Sequence, residues 1–156
     1  MQPSCLLTFT ALTLFSGVSA PQAVREMSGL SGSSPGLKYD IQPRVVSRGE
    51  LKHTGGPLSP ALVPNLKVLV TNPSKRPLMF TYGCGGQVPV QVAYENGEQV
   101  QEALGIACTM EARVARIQPG QTLSFPSFQW QKLMHLRPGK YLWVYGKQTF
   151  PFTLKP

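Results

Sequence analysis

The stretch NLKVLVTN, residues 65–72, decides the fold class of this chain, because apolar side chains recur in it at every second position. Leu66, Val68 and Val70 share one face of an extended chain, which is the pattern of a half-buried β-strand. The same period of two occurs earlier in the chain, at Leu37, Tyr39 and Ile41. Both stretches therefore predict strands with one buried face.

Short apolar runs continue along the chain and are separated by turn-forming dipeptides. They predict further strands at 76–82, 112–117, 122–129, 140–145 and 148–154, with turns at Asn72-Pro73, Asn96-Gly97, Pro119-Gly120 and Pro138-Gly139. The Asn-Gly pair suits a type I′ hairpin turn that would pair residues 88–94 with 98–104, although the second segment equally favours a turn of helix. The prediction is two packed antiparallel sheets.

Individual residues refine this architecture. Pro89 and Pro126 each remove a backbone donor, so their strands are predicted at a sheet edge or at a bulge. Trp130 and Tyr141 are predicted to bridge the two sheets, with the indole N–H or the phenol O–H bonded to the backbone. Asn72 is predicted to turn the chain by bonding its own backbone.

The first twenty residues predict an export signal. They carry no charged side chain, are apolar from Cys5 to Val18 and end in the small residues Val18-Ser19-Ala20. A buried N-terminal strand or helix is the alternative, whereas a membrane span is not predicted because polar residues interrupt the run. Residues 21–36 read as a flexible tether rich in Gly and Ser, and residues 37–156 as the single folded domain. The predicted location is the periplasm, the cell envelope or the exterior.

Removal of the signal would leave two of the three cysteines, Cys84 and Cys108. An even number of cysteines in an oxidising compartment predicts a disulfide. The bond would close a loop of about 25 residues and so remove chain entropy from the unfolded state.

Catalytic and metal chemistry find little support in the sequence. A zinc site needs about four ligands, and beyond the two thiols the chain offers only His53 and His135, which lie far apart in sequence. A nucleophilic cysteine would also lack a convincing base. We therefore predict no catalytic residue, metal or cofactor, no small-molecule substrate, and a protein that is not an enzyme.

Four stretches occur in the order and spacing of one known family: LKVLVTNPSKRPLMFTYG, VPVQVAYENGEQV, RIQPGQTLSFPSFQW and LRPGKYLWVYG. Over residues 66–146 the chain resembles the BsuPI-type intracellular proteinase inhibitor domain. The resemblance implies an all-β, immunoglobulin-like antiparallel β-sandwich, and inhibition of a serine protease by occlusion of its active site without a cofactor. Domains of this type also occur as surface or envelope modules without an inhibitory role.

Charge gives the remaining functional signal. The formal net charge is +8, and residues 112–156 contain seven Lys and Arg and no acidic residue. Such a surface attracts polyanions, although scattered cations also serve solubility and protect strand edges. Nucleic acid is not predicted, because the cations are dispersed and the sequence has no recognition helix or ribonucleoprotein motif.

The densest basic group lies in QKLMHLRPGK, residues 131–140, where cationic side chains surround three apolar ones. The predicted partner-binding residues are Lys132, His135, Arg137 and Lys140. The alternative is that Leu133 and Leu136 pack inward beneath the turn. The sequence thus predicts an exported, non-enzymatic binding or structural module whose partner is a protein, a protease among the candidates, or an anionic envelope polymer. An active proteinase inhibitor is the alternative function.

Overall fold

The computed structural model describes residues 35–53, 61–101 and 111–156. These residues form eleven strands: β1 (Lys38–Gln42), β2 (Val45–Ser47), β3 (Lys52–His53), β4 (Ala61–Leu62), β5 (Lys67–Thr71), β6 (Leu78–Tyr82), β7 (Val88–Tyr94), β8 (Arg113–Ile117), β9 (Thr122–Gln129), β10 (Gly139–Tyr145) and β11 (Gln148–Lys155). Single turns of 3₁₀ helix lie at Arg48–Glu50 and Leu133–His135. No helix among the described residues has the length and apolar character that a membrane crossing requires. The predicted signal and most of the predicted tether lie outside these residues.

Seven strands form one curled sheet in the order β1-β5-β9-β7-β10-β11-β2. The curl occurs along β9, whose residues 122–126 pair with β5 and whose residues 127–129 pair with β7. The ring centroids of Tyr39 on β1 and Tyr145 on β10 are 5.1 Å apart, although three strands separate β1 from β10 in the sheet order. The two ends of the curled sheet therefore face each other across a core, which confirms the all-β sandwich predicted from the sequence.

Two small sheets complete the fold: a ribbon of β6 and β8, and a two-residue pairing of β3 with β4. Most strand pairs are antiparallel, as expected, but β7 runs parallel to β9 and β2 runs parallel to β11. The strands β2, β3 and β4 were not predicted, since two or three residues are too few to show a period.

The core follows the alternation of the sequence. Ile41, Val68 and Val70 are fully buried, and Leu37, Tyr39 and Leu66 are each less than 10% exposed. Burial of this apolar face is the main stabilising contribution to the fold. The prediction that these residues share buried faces is confirmed.

The tryptophan that bridges the layers is Trp143 and not Trp130. The Trp143 ring is fully buried and stacks on Phe152 with 3.9 Å between ring centroids, and its Nε1 donates a hydrogen bond of 3.0 Å to the Pro43 carbonyl oxygen. Trp130 is only partly buried and contacts Phe128. The prediction for Trp130 was wrong because that residue follows the last residue of β9, whereas Trp143 lies in phase with the buried residues of β10.

Tyr141 has the predicted role. It is 7% exposed at the start of β10, and its hydroxyl donates a hydrogen bond of 2.8 Å to the Arg137 carbonyl oxygen four residues earlier. A tyrosine that enters a strand and bonds back to the preceding loop is the tyrosine corner of immunoglobulin-like sandwiches. The bond fixes the end of the loop that leads from β9 to β10.

We expect Tyr141→Phe to destabilise the protein by about 1 kcal/mol, because it removes one partly buried hydrogen bond. Burial raises the pKa of this phenol above its usual value of 10.0, and Tyr94 adds to the rise. The folded state then holds a proton that the unfolded state releases, so this contribution is present below pH 10 and is lost as the pH rises through the folded-state pKa. Urea unfolding from pH 8 to pH 11 checks both points. A decline above pH 10 that is identical in Tyr141→Phe would contradict the assignment.

The hairpin at Asn96-Gly97 forms, but not with the predicted turn. Only Gly97 has a positive φ, 85°, whereas a type I′ turn needs positive φ at both central residues. The amide of Gly97 donates to the Tyr94 carbonyl at 2.9 Å and the amide of Tyr94 donates to the Glu98 carbonyl at 2.8 Å, which defines a three-residue loop. Pairing continues to Val100, whose amide donates to Val92, and the rest of the predicted second strand lies mostly outside the described residues.

Neither Pro89 nor Pro126 lies on an edge strand, because β7 and β9 are both interior to the sheet. Each proline nevertheless occupies a position with one neighbouring strand. Pro89 pairs with β9 before β7 joins β10 at Gln91, and Pro126 is the last β9 residue paired with β5. A missing N–H is tolerated at such positions because no second strand needs it.

Candidate functional site

The predicted partner-binding residues lie in the connection from β9 to β10, which we call the basic loop and define as residues 132–140. His135, Arg137 and Lys140 are exposed, and Lys132 is half-buried. Arg137 lies in the connection itself, and Lys140 is the second residue of β10.

Apolar anchors hold the basic loop against the sandwich. Leu133 is fully buried and Leu136 is 8% exposed, and the Leu136 amide donates to the Leu133 carbonyl at 3.1 Å. Gln131, also fully buried, accepts a hydrogen bond of 2.9 Å from the Val92 amide through Oε1. The inward packing of both leucines is confirmed, and Met134 is partly buried against the core, so the outer surface of the loop is mainly cationic.

This surface includes one residue that the sequence did not predict there. Arg48, in the 3₁₀ turn after β2, donates a hydrogen bond of 2.7 Å from Nη2 to the Met134 carbonyl oxygen. This contact brings a further positive charge to the basic loop from a residue 86 positions away in sequence. No local pattern could have indicated so distant a contact.

The charges of the basic loop are not neutralised within the described part of the chain. The ion pairs found there join Arg44 to Asp40 and Arg113 to Glu111, and neither involves the loop. Tyr94 on β7 pairs with Tyr141 on β10, so the antiparallel register continues from Lys140 towards Glu95. We therefore expect the positive charge of Lys140 to be partly offset by Glu95, and the charges of Lys132 and Arg137 to be offset less.

Cys84 lies in the tight turn between β6 and β7. Gly85 and Gly86 have φ of 70° and 86°, and the Gln87 amide donates to the Cys84 carbonyl at 3.4 Å, which is the pattern of a type I′ turn. A β-carbon built on Gly83 would lie 3.6 Å from the Glu111 carbonyl oxygen. The turn therefore adjoins the segment that follows Cys108.

Cys108 lies outside the described residues, so its disulfide with Cys84 stays a prediction. We expect the chain without its predicted signal, made in an oxidising compartment, to take up no alkylating reagent without reductant and two equivalents after reduction, measured by intact mass. Two alkylated thiols before reduction would contradict the pairing.

Within residues 35–53, 61–101 and 111–156, no three His, Cys, Asp or Glu side chains are grouped so that they could hold a metal ion. His135 is exposed on the basic loop. That the protein binds no metal and catalyses no reaction stays a prediction.

Fold and surface together define a sandwich-like all-β protein with a cationic loop at the start of strand β10. Comparison with protein-family models, with curated proteins and with solved structures found no match. The resemblance to the BsuPI-type domain therefore stays a prediction.

Proposed function

We propose that this protein is an exported, non-enzymatic binding module of the cell envelope that recognises a negatively charged partner through the basic loop. The observation that carries the proposal is the exposure of Arg137 and its neighbouring cations on a loop that buried leucines hold in place. A loop whose backbone is already fixed loses little conformational entropy on binding. The same charges on a mobile loop would bind more weakly, because the loop would have to be ordered first.

An anionic envelope polymer is the partner that this surface favours. With its leucines packed inward the loop offers mainly charge, and recognition dominated by charge suits a repeating polyanion. Folded-protein interfaces usually add a buried apolar centre, which the loop does not present. The alternative function, occlusion of a serine protease, stays a prediction that titration of purified serine proteases would test.

Retention on a sulfated-polymer column over a salt series tests the polymer proposal. We expect Lys132→Gln/Arg137→Gln/Lys140→Gln to elute at clearly lower salt than the wild type, because it removes the fixed charges. The matched control is Lys38→Gln/Lys147→Gln/Lys155→Gln, which also lowers the net charge by three, from +8 to +5, at exposed positions elsewhere.

The comparison separates a site from general charge. If both variants shift equally, retention reflects net charge alone and the basic loop is not the site. Retention of the wild type that barely weakens with salt would contradict electrostatic recognition altogether.

A further inference from the structure

A second surface lies on the ribbon of β6 and β8, which shares no residue with the basic loop. Within the described residues each of these strands pairs only with the other, in the register Leu78↔Ile117 to Tyr82↔Arg113. A two-stranded ribbon leaves a row of main-chain N–H and C=O groups at each outer edge, and such edges accept an added strand.

The two faces of the ribbon differ sharply. Phe80 and Ile117 point into the core and are fully buried. On the opposite face Met79 is 53% exposed and Val114 is 58% exposed, which makes them the two most exposed large apolar side chains of the described chain. Met79 pairs with Arg116, and Val114 pairs with Thr81, so the two apolar residues are diagonal neighbours. Together these four residues form what we call the ribbon face.

The charge around the ribbon face is positive. Arg116 lies on the ribbon face itself, opposite Met79, and Lys75 and Arg76 lie on the turn before β6. Arg113 pairs with Tyr82 and belongs to the other face of the ribbon. The nearest acidic residue along the chain is Glu111. Only Arg113 approaches that carboxylate, with 3.8 Å between Nη2 and Oε2. Met and Arg are among the residues enriched at protein interfaces, and here they lie side by side across two strands.

We propose that the ribbon face binds an extended acidic segment of a partner protein, which adds as a strand at an edge of the ribbon. An edge of the ribbon that is unpaired within the described residues supplies main-chain hydrogen bonds, Met79 and Val114 supply apolar contact, and Arg116 with Lys75 and Arg76 selects for Asp and Glu. Because every second side chain of a strand faces the same way, the segment that fits carries apolar and acidic residues two positions apart, so that both contact the ribbon face. This inference does not depend on the basic loop, so either surface can fail its test without the other.

A random decapeptide display library selected on the immobilised full chain tests the proposal. We expect the enriched peptides to carry apolar residues and Asp or Glu two positions apart, on one face of an extended chain. A synthetic peptide from this set is expected to bind the wild type about tenfold more tightly than Met79→Thr/Val114→Thr, since loss of central apolar contacts weakens binding by this order. Both residues are more than half exposed and threonine favours strands, so the variant should keep its fold, which circular dichroism confirms.

The control is Val45→Thr, which makes the same exchange of methyl for hydroxyl as Val114→Thr, at an apolar residue that is 50% exposed on β2. This control should bind the peptide with the affinity of the wild type. In the complex of the wild type with the peptide, hydrogen exchange should show new protection of amides in β6 or β8. The proposal is overturned if no peptide is enriched, if enriched peptides lack acidic residues, or if the double variant binds equally well. Self-association in ultracentrifugation that the double variant abolishes would instead assign the ribbon face to a second copy of the chain.

Discussion

Trp143→Ala is expected to destabilise the protein by about 3 to 5 kcal/mol, the usual cost of truncating a fully buried tryptophan. The ring lies between the layers of the sandwich, stacks on Phe152 and bonds to the Pro43 carbonyl. Loss of the ring leaves a cavity in the core. It also removes the N–H group that donates a hydrogen bond to the Pro43 carbonyl oxygen. Since a small domain is stable by only about 5 to 15 kcal/mol, this one change removes a large share of its stability.

Urea unfolding followed by circular dichroism measures the effect. Trp143→Phe keeps most of the ring and is expected to lose about 2 kcal/mol, so it gives a value even if the alanine variant does not fold. The matched control is Trp130→Ala, expected to cost about 1 kcal/mol because that ring is only partly buried. Equal costs for the two alanine variants would contradict the assignment of Trp143 as the residue that bridges the layers.

Asn72→Ala is expected to cost about 2 to 3 kcal/mol, although the side chain is small. The residue is fully buried, and its Nδ2 donates to the carbonyl oxygens of Arg76 at 2.8 Å and of Ile117 at 2.9 Å. Its Oδ1 accepts hydrogen bonds from the amide and the hydroxyl of Ser74. The side chain thus joins the end of β5 to the end of β8, and its removal takes away one donor of the buried Ile117 carbonyl.

Two further substitutions separate these contacts. Ser74→Ala removes hydroxyl contacts near the surface and is expected to cost only about 0.5 to 1 kcal/mol. Asn72→Asp keeps the acceptor but loses both donors and buries a charge, so it should cost at least as much as alanine. An Asn72→Ala effect no larger than that of Ser74→Ala, measured by urea unfolding, would show that the bond to Ile117 contributes little.

The longer strands were predictable from the sequence, because a half-buried strand places apolar residues at every second position and this alternation is visible in the sequence. The sequence could not choose between Trp130 and Trp143, since the direction of a side chain at a strand end depends on where pairing stops. It also could not show that Asn96 keeps a negative φ while Gly85 and Gly86 form the type I′ turn, because all three residues tolerate either conformation.

The candidate site was predictable in part. The sequence alone indicated that the cationic side chains between Lys132 and Lys140 lie at the surface, because charged groups are costly to bury. It left open whether Leu133 and Leu136 are exposed, and their burial is the reason that we propose a polyanion rather than a protein surface as the partner. The approach of Arg48 to Met134 and the ribbon face depend on contacts between distant segments, which no single stretch of sequence records.

The central claim is that the basic loop recognises an anionic component of the envelope. Its most direct test is a pull-down from a native envelope fraction with the wild type, the basic-loop triple variant and the Lys38, Lys147 and Lys155 control. We expect the wild type and the control to retain the same anionic polymer at low salt and the loop variant to retain none. Retention of the same material by all three proteins would contradict it.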